Sequence, residues 1–169
     1  DEIVLATSAN HEDDLFEKIA KNNNIKFFRG SLENVAERFY DAAKLFEIDH
    51  IVRVTGDDIL RDEIMIDNGI ESHLFESRDV TFIRNTPYGC ASEIFSFEAL
   101  KTIMEKANDP FNTEYLEYYL SNDRYFSINE VFAKYKMDKN IRLTLDYEED
   151  FKLFKKIFEY FDSIGENQF

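Results

Sequence analysis

Two acidic residues stand at the ends of short apolar runs: Asp57, after Val52-Arg53-Val54-Thr55-Gly56, and Asp146, after Arg142-Leu143-Thr144-Leu145. Each run reads as a buried strand. Each is followed by a helical pattern, opening near Asp62 in one case and near Glu148 in the other. In an open α/β sheet, ligands collect outside the carboxyl ends of the strands. Mg²⁺ bound between phosphates keeps several waters and takes one or two carboxylates, which is what this pair offers. The plainer reading makes Asp57 a turn residue after Gly56 and Asp146 an N-cap. Either residue alone fits that reading. Together, in this order, they favour a metal site.

Other candidate chemistry is thinner. His11, His50 and His73 lie in separate elements without metal-ligand spacing, which places each at the surface or a strand edge. Cys90 sits in a loop with no His beside it, so a catalytic thiol is not expected. A lone cysteine also excludes an internal disulfide and suits a reducing compartment. Tyr115, Tyr118 and Tyr119 form a helical stripe that suits core or dimer packing better than stacking on a sugar. Arg38 has two readings of equal standing: a fork-shaped donor to phosphate or carboxylate, or a surface residue paired with Glu33, Glu37 or Asp41. Gly30 and Gly56 read as turn glycines.

Composition bounds the rest. A length of 169 residues suits a single domain over 1–169, with 44% hydrophobic residues, 17 Phe, 9 Tyr and no Trp giving an aromatic-rich core. No apolar run is long enough to span a bilayer and no signal peptide is visible, so the expectation is a cytoplasmic protein without a membrane partner. A formal charge of −15 excludes binding along a nucleic-acid backbone. A polyphosphate meets the same repulsion unless Mg²⁺ and local Arg or Lys reverse the field. Much of the acid falls at helix starts such as Glu12-Asp13-Asp14 and Glu148-Glu149-Asp150, where the dipole favours it.

Strand and helix patterns alternate along the chain. Ile3 to Ala6 reads as an interior strand, a helix opens at Asp13 or Asp14 with Leu15, Ile19 and Ala20 on one face, and Asn22-Asn23-Asn24 ends it. A strand over Ile25 to Phe28, a helix from Glu33 to Phe46, a strand over Ile51 to Val54 and a helix from Asp62 to Phe75 follow. Val80 to Ile83 and Glu93 to Phe95 read as strands about a turn at Pro87 and Gly89, an antiparallel addition. Helices over Phe97 to Lys106 and Thr113 to Leu120 flank Pro110. Strands over Tyr125 to Phe132 and Arg142 to Leu145 precede a last helix, Glu148 to Phe161, which would bury Phe151, Phe154, Ile157, Phe158 and Phe161. Repeated βα units imply a largely parallel sheet covered by helices. The chain enters its first strand directly after Asp1, so a fragment lacking an upstream βα portion is expected.

Several segments occur in one order: Leu5 to Asp14, Phe28-Arg29-Gly30-Ser31 with Val35 and Arg38, Arg53 to Asp57, Gly89 to Phe95 with Ser96 to Leu100, and Leu143 to Asp146 with Glu149-Asp150-Phe151. That succession resembles the cytidylyltransferases of the acylneuraminate (CMP-sugar synthetase) type, most of all the branch named for spore-coat polysaccharide biosynthesis. The resemblance implies a nucleotide-diphospho-sugar transferase (GT-A-like) α/β fold: three layers, with a mostly parallel sheet between helices, lacking its first βα portion. It implies transfer of CMP from CTP to a sugar, often a sugar acid, with release of pyrophosphate for cell-surface polysaccharide synthesis. Carried over by position, Asp57 and Asp146 are the catalytic acids and Mg²⁺ ligands. Arg29, Gly30, Arg38, Thr55 and Gly56 fall in the nucleotide pocket, and Tyr88, Gly89, Glu93 and Glu114 beside the sugar. A homodimer is one expected assembly.

The chain departs from the family pattern at Ile59 (commonly Pro), Ala91 (usually acidic) and Tyr115 (often His), and it shows no Arg/Gly/Lys-rich triphosphate loop. The expectation is therefore that this polypeptide alone binds CTP poorly and releases no pyrophosphate. In such transfers, positioning and charge neutralisation supply most of the catalysis. Two other readings stand beside this one: a glycosyltransferase of the same fold using Asp57-Asp58, and a non-catalytic remnant that binds a partner or a nucleotide weakly. Two geometric expectations follow. The strands at Ile3, Ile25 and Ile51 should be parallel neighbours, and Asp57 and Asp146 should converge.

Overall fold

Most apolar runs that end in a polar or glycine residue become strands followed by a helix whose first turn is acidic, whereas Val80–Arg84 leads into a second strand, Glu93–Ser96. The computed structural model describes residues 2–106, 113, 115–134 and 140–165. In chain order these form β1 (Val4–Ser8), a 3₁₀ turn (His11–Asp13), α1 (Asp14–Asn22), β2 (Lys26–Gly30), α2 (Val35–Leu45), β3 (His50–Arg53), α3 (Glu63–Glu76), β4 (Val80–Arg84), β5 (Glu93–Ser96), α4 (Phe97–Lys106), α5 (Leu116–Leu120), β6 (Ile128–Phe132) and α6 (Glu148–Ile164). Pro110 and Glu114 lie outside the described residues. No helix of the described residues is long and apolar enough to cross a membrane.

Among the described residues the strands form two sheets: β1–β2, and a second in the order β3-β5-β4-β6. The first is parallel, in register from Val4 opposite Lys26 to Ser8 opposite Gly30. In the second, Val80 N–H donates to Ser127 and Ala133 N–H to Arg84, so β4 and β6 run the same way. Ile83 N–H donates to Ser92 while Ser96 N–H donates to Asp79, and Phe97 N–H donates to Asp49 while Arg53 pairs with Glu93. Strand β5 is therefore antiparallel to both neighbours. The expected adjacency of the Ile51 strand to the first two is not observed: among the described residues β3 pairs with β5 and no ladder joins it to β1 or β2.

The chain divides into two compact units, one of Asp1–Ile51, Ser77–Val80 and Phe95–Ile128, the other of Val52–Glu76, Thr81–Ile94 and Asn129–Phe169. In the first, the Asp13 carboxylate gathers Thr7 Oγ1 (2.7 Å), Ser8 Oγ (2.6 Å) and the Ser8 N–H (3.0 Å), joining the end of β1 to the start of α1. These three donors hold the Asp13 carboxyl below its ordinary pKa, the Ser8 hydroxyl contributing most. Phe95, Leu100, Ile103, Leu116 and Leu120 are fully buried. In the second unit Ile83 and Met65 pack with Ala133, against Ile66 and Val131.

Several expected faces turn out differently. Helix α5 buries Leu116 and Leu120, whereas Tyr115 and Tyr118 are exposed. In α6 only Phe154 is buried, and Phe151 is exposed. Of the α1 stripe only Ala20 is buried, and β1 is half-buried rather than enclosed. His73 is not a surface residue. It is 1% exposed on α3, where Thr81 Oγ1 of β4 lies 2.9 Å from Nδ1 and partners that ring nitrogen.

Helix α2 begins at a pinned point. Asn34 Oδ1 caps it by accepting the Glu37 N–H, and buried Thr113 both donates to Asn34 Oδ1 (3.0 Å) and accepts the Ala36 N–H (3.2 Å). Thr113→Val leaves that N–H without its acceptor, which should cost about 1–2 kcal/mol. Urea denaturation of the variant reads the loss directly. An unchanged midpoint would show that the cap does not depend on Thr113.

Candidate active site

The second unit brings the two acidic strand ends together through backbone. Leu145 N–H donates to the Asp57 carbonyl at 2.8 Å, so Asp146 follows immediately on a segment bonded to Asp57. That segment is not the four-residue strand its pattern suggests. It forms one parallel bridge, Tyr88 opposite Arg142, with Leu143 N–H donating to Tyr88 (2.7 Å) and Tyr88 N–H to Ile141 (3.3 Å). Gly89 makes the approach possible. Its φ is +93°, and a Cβ there would lie 2.5 Å from the Leu143 carbonyl carbon and 2.9 Å from the Thr144 nitrogen. The family pattern puts Gly89 beside a sugar, and its observed duty is to let the Asp146 segment in. Tyr88 is exposed at the same turn.

The neighbouring acids have separate roles. Asp57 is exposed, and its carboxylate makes no hydrogen bond or ion pair with a described residue. Asp58 is occupied: it accepts from Thr55 Oγ1 (3.0 Å) and from Arg61 Nη2 (2.6 Å), while Arg61 Nη1 reaches Ser92 Oγ (3.2 Å). This half-buried knot shapes the turn that presents Asp57. Thr55 thus serves the turn through its side chain. Gly56 has no positive φ, and a Cβ added there would meet nothing within 4 Å, so neither crowding nor backbone demands a glycine. The Cys90 thiol is buried near Arg61 and Asp58, and burial pushes its pKa up, which leaves it a protonated core group.

Asp146 is not the N-cap of α6. Tyr147 holds that position, and Asp150 Oδ2 accepts the Asp146 and Tyr147 N–H groups at 3.0 and 2.9 Å. Arg142 binds both acids, Nη1 to Asp150 Oδ1 at 2.7 Å and Nη2 to Asp146 Oδ2. The Arg142 guanidinium, followed by those backbone donors, holds the Asp150 carboxyl below its ordinary value. Glu93 of β5, 12% exposed, accepts from Arg53 of β3 at 3.2 Å. Arg142, Asp150 and Arg61 are neighbours of the two acids that sequence reasoning did not single out, and Asp58, read as a possible partner of Asp57, is instead bound to Arg61. The Arg-x₃-Asp-x₃-Asp spacing of 142, 146 and 150 was the available signal.

The nucleotide candidates of the first unit carry local duties. Arg29 donates to the Asn10 carbonyl (3.2 Å) and to Asp14 (2.6 Å), tying β2 to the start of α1. Arg38 Nη1 donates to the Ser31 carbonyl at 2.9 Å. Gly30 has no positive φ. A Cβ there would sit 2.8 Å from the Phe28 ring and 2.9 Å from Arg38 Cγ, so its missing side chain gives Arg38 its seat rather than a turn.

Among the described residues no three His, Cys, Asp or Glu side chains cluster as a metal cage. Mg²⁺ that shares phosphate oxygens and waters does not require one. An exposed, unpartnered Asp57 and a partly exposed Asp146 could serve such an ion as donors.

The architecture, an α/β chain with acids at strand ends, is that of the nucleotide-diphospho-sugar transferases. Molybdopterin-guanine dinucleotide biosynthesis protein A of Archaeoglobus fulgidus (TM-score 0.61, 12% identity, 93% of this chain and 78% of that one) and the bifunctional IspDF of Campylobacter jejuni (0.57, 18%, 89% and 41%) share the fold. The chain belongs to the cytidylyltransferase family, whose model matches residues 1–165. A cytidylyltransferase structure from Leptospira borgpetersenii superposes with a TM-score of 0.87 at 32% identity, covering 94% of this chain and 68% of that one. The uncharacterized protein MJ1063 of Methanocaldococcus jannaschii is 33% identical over 98% of this chain and 69% of its own length. The spore coat polysaccharide biosynthesis protein SpsF of Bacillus subtilis is 27% identical over 94% and 68%. Membership in this family brings CTP as the nucleotide substrate.

Two outcomes test this geometry. Gly89→Ala forces backbone apart at Leu143 and should destabilise the protein by more than about 2 kcal/mol, read as a fall in thermal midpoint. Asp150, with a depressed folded pKa, contributes stability above its unfolded value near 3.8, and that contribution is lost as pH falls through the lower folded value. Asp150→Asn should therefore be less stable at neutral pH and show a flatter acid limb between pH 5 and 2 (about the span over which a paired carboxylate titrates). Parallel limbs for the two proteins would contradict the assignment.

Proposed function

We propose that the chain is the transferase portion of an enzyme that couples CMP to a sugar acid destined for a polysaccharide, with Asp57 and Asp146 as Mg²⁺ ligands. The observation that carries this reading is the Leu145-to-Asp57 hydrogen bond, which ties the residue just before Asp146 to the backbone of Asp57 in a chain of the cytidylyltransferase family. The similarity to SpsF, a spore coat polysaccharide biosynthesis protein, supports a saccharide acceptor. In the transfer, a sugar hydroxyl oxygen attacks the α-phosphorus of CTP. A new P–O bond forms, the bond to the α–β bridging oxygen breaks, and its electron pair leaves with pyrophosphate. The hydroxyl proton passes to solvent. When bound, Mg²⁺ supplies charge neutralisation at the phosphates.

The residues of this chain set the stage for that step. The Arg61–Asp58–Thr55 knot fixes the turn and leaves Asp57 as the exposed acid. Glu93 is held by Arg53 through one oxygen, which leaves the other to accept a hydrogen bond from an acceptor hydroxyl.

Pyrophosphate release from CTP with Mg²⁺, measured across a panel of sugar acids and neutral sugars, tests the reading in the full protein. Asp57→Asn should lower kcat by about a hundredfold or more, the scale of losing one electrostatic contributor to the transition state. Its thermal midpoint should hold, since the carboxylate has no partner to lose. Glu93→Gln should raise KM for the sugar while leaving KM for CTP near its starting value. Normal turnover by Asp57→Asn would sink the metal site, and a strict preference for neutral sugars would sink the acid acceptor.

A further inference from the structure

Arg142 is anchored at one end and exchangeable at the other. Its Nη1 donates to Asp150, and Asp150 is fixed in turn by the N–H groups of Asp146 and Tyr147 at 3.0 and 2.9 Å. The Asp150 side chain is only 15% exposed. The arginine's backbone is locked against Tyr88, and its guanidinium lies 5.5 Å from the Tyr147 ring centroid. Its Nη2 holds Asp146, whose side chain is 42% exposed and has no second side-chain donor among the described residues.

We infer that Arg142 is a positioning residue that guards Asp146 and is handed to an anion when a divalent metal takes that carboxylate. This rests on the reading of Asp146 as a metal ligand. In the metal-free protein the guanidinium offsets the charge of Asp146 beside Asp57. A divalent ion that chelates both Asp146 oxygens, or takes Oδ2 itself, competes with Nη2–H for that oxygen and displaces it. The displaced donor stays in place, because the Asp150 bond keeps the guanidinium plane where it was. A planar fork with one free N–H edge is suited to a phosphate oxygen. Metal loading thus turns Arg142 from the partner of an acid into part of a polyphosphate site. In a protein of net charge −15, this keeps a cation in reserve without leaving it unpaired.

Mn²⁺ binding followed by the EPR signal of the free ion tests this without reference to turnover. In the wild-type background Arg142→Met should tighten Mn²⁺ by about two- to fivefold, the range an exposed ion pair accounts for. Asp146→Asn should weaken it, and in the Asp146→Asn background Arg142→Met should have no further effect. With Mn²⁺ saturating, Arg142→Met should bind inorganic tripolyphosphate several-fold more weakly, and Arg142→Lys, which keeps the charge but not the fork, should fall between. Equal tightening in both backgrounds would make Arg142 a bystander charge and overturn the exchange, as would no tightening at all. Should Arg142→Met fail to fold, Arg142→Gln in the same cycle carries the test, since it too removes the charge held against Asp146. Mn²⁺ affinity unchanged by Asp146→Asn would instead overturn the metal-ligand reading itself, and the exchange with it.

Discussion

The Asp146 segment has almost no secondary structure of its own, yet the meeting of the two acidic strand ends depends on where it lies. Three backbone hydrogen bonds hold it: two at Tyr88 and one from Leu145 to Asp57. They can form only because Gly89 has no Cβ to strike Leu143 and adopts a φ of +93°. An acid delivered by a full ladder would be placed by many bonds. Here, among the described residues, three backbone bonds and a missing side chain place it. Helix α6 then starts at once, and its first-turn acid Asp150 binds back to the two N–H groups that precede it. The capping of the helix and the placing of the site are one structure.

Charge is handled with similar restraint. An acidic chain that must meet a polyphosphate needs cations, and unpaired arginines in half-buried positions would be costly. The chain instead assembles several of them with an acid: Arg53 with Glu93, Arg61 with Asp58, Arg142 with Asp146 and Asp150, Arg29 with Asp14. These pairs differ in what else holds them. Arg61 is locked by Asp58, Thr55 and Ser92 together, so it behaves as framework. Arg142 has one fixed partner and one exposed partner, so only part of it is framework.

Much of this was legible along the chain. The alternation of apolar runs with amphipathic helices gave the βα order, and the polar residue after each run marked Asp57 and Asp146. What escaped depends on contacts distant in sequence. His73 looks like a surface histidine on a helix until Thr81, on the next strand, supplies a partner for its ring. Gly89 looks like a ligand-side turn glycine until Leu143 arrives from far along the chain. The aromatic spacing of α6 suggested a buried face, but spacing reports only that residues share a side, not that anything covers it. The β1–β2 pair stands apart from β3 because hydrogen-bond partners, unlike strand propensity, are chosen across the whole chain.

The contrast between Asp57 and Asp58 shows how such choices acquire function. The two are adjacent, chemically identical and follow the same strand. Residue type cannot say which would face a ligand, and a glycosyltransferase-like reading would use both. The structure separates them through Arg61, three residues further on, which reaches back to Asp58 and to Thr55 and leaves Asp57 without a partner. A carboxylate already neutralised by a nine-tenths-buried guanidinium is a poor ligand, because a metal would have to strip the acid from the cation and leave that cation unpaired. The same argument applied to Asp146 gives the opposite answer. Its guanidinium retains Asp150 whatever Asp146 does, so releasing it costs little. Availability for a metal is therefore decided less by the carboxylate than by how many other partners its arginine keeps.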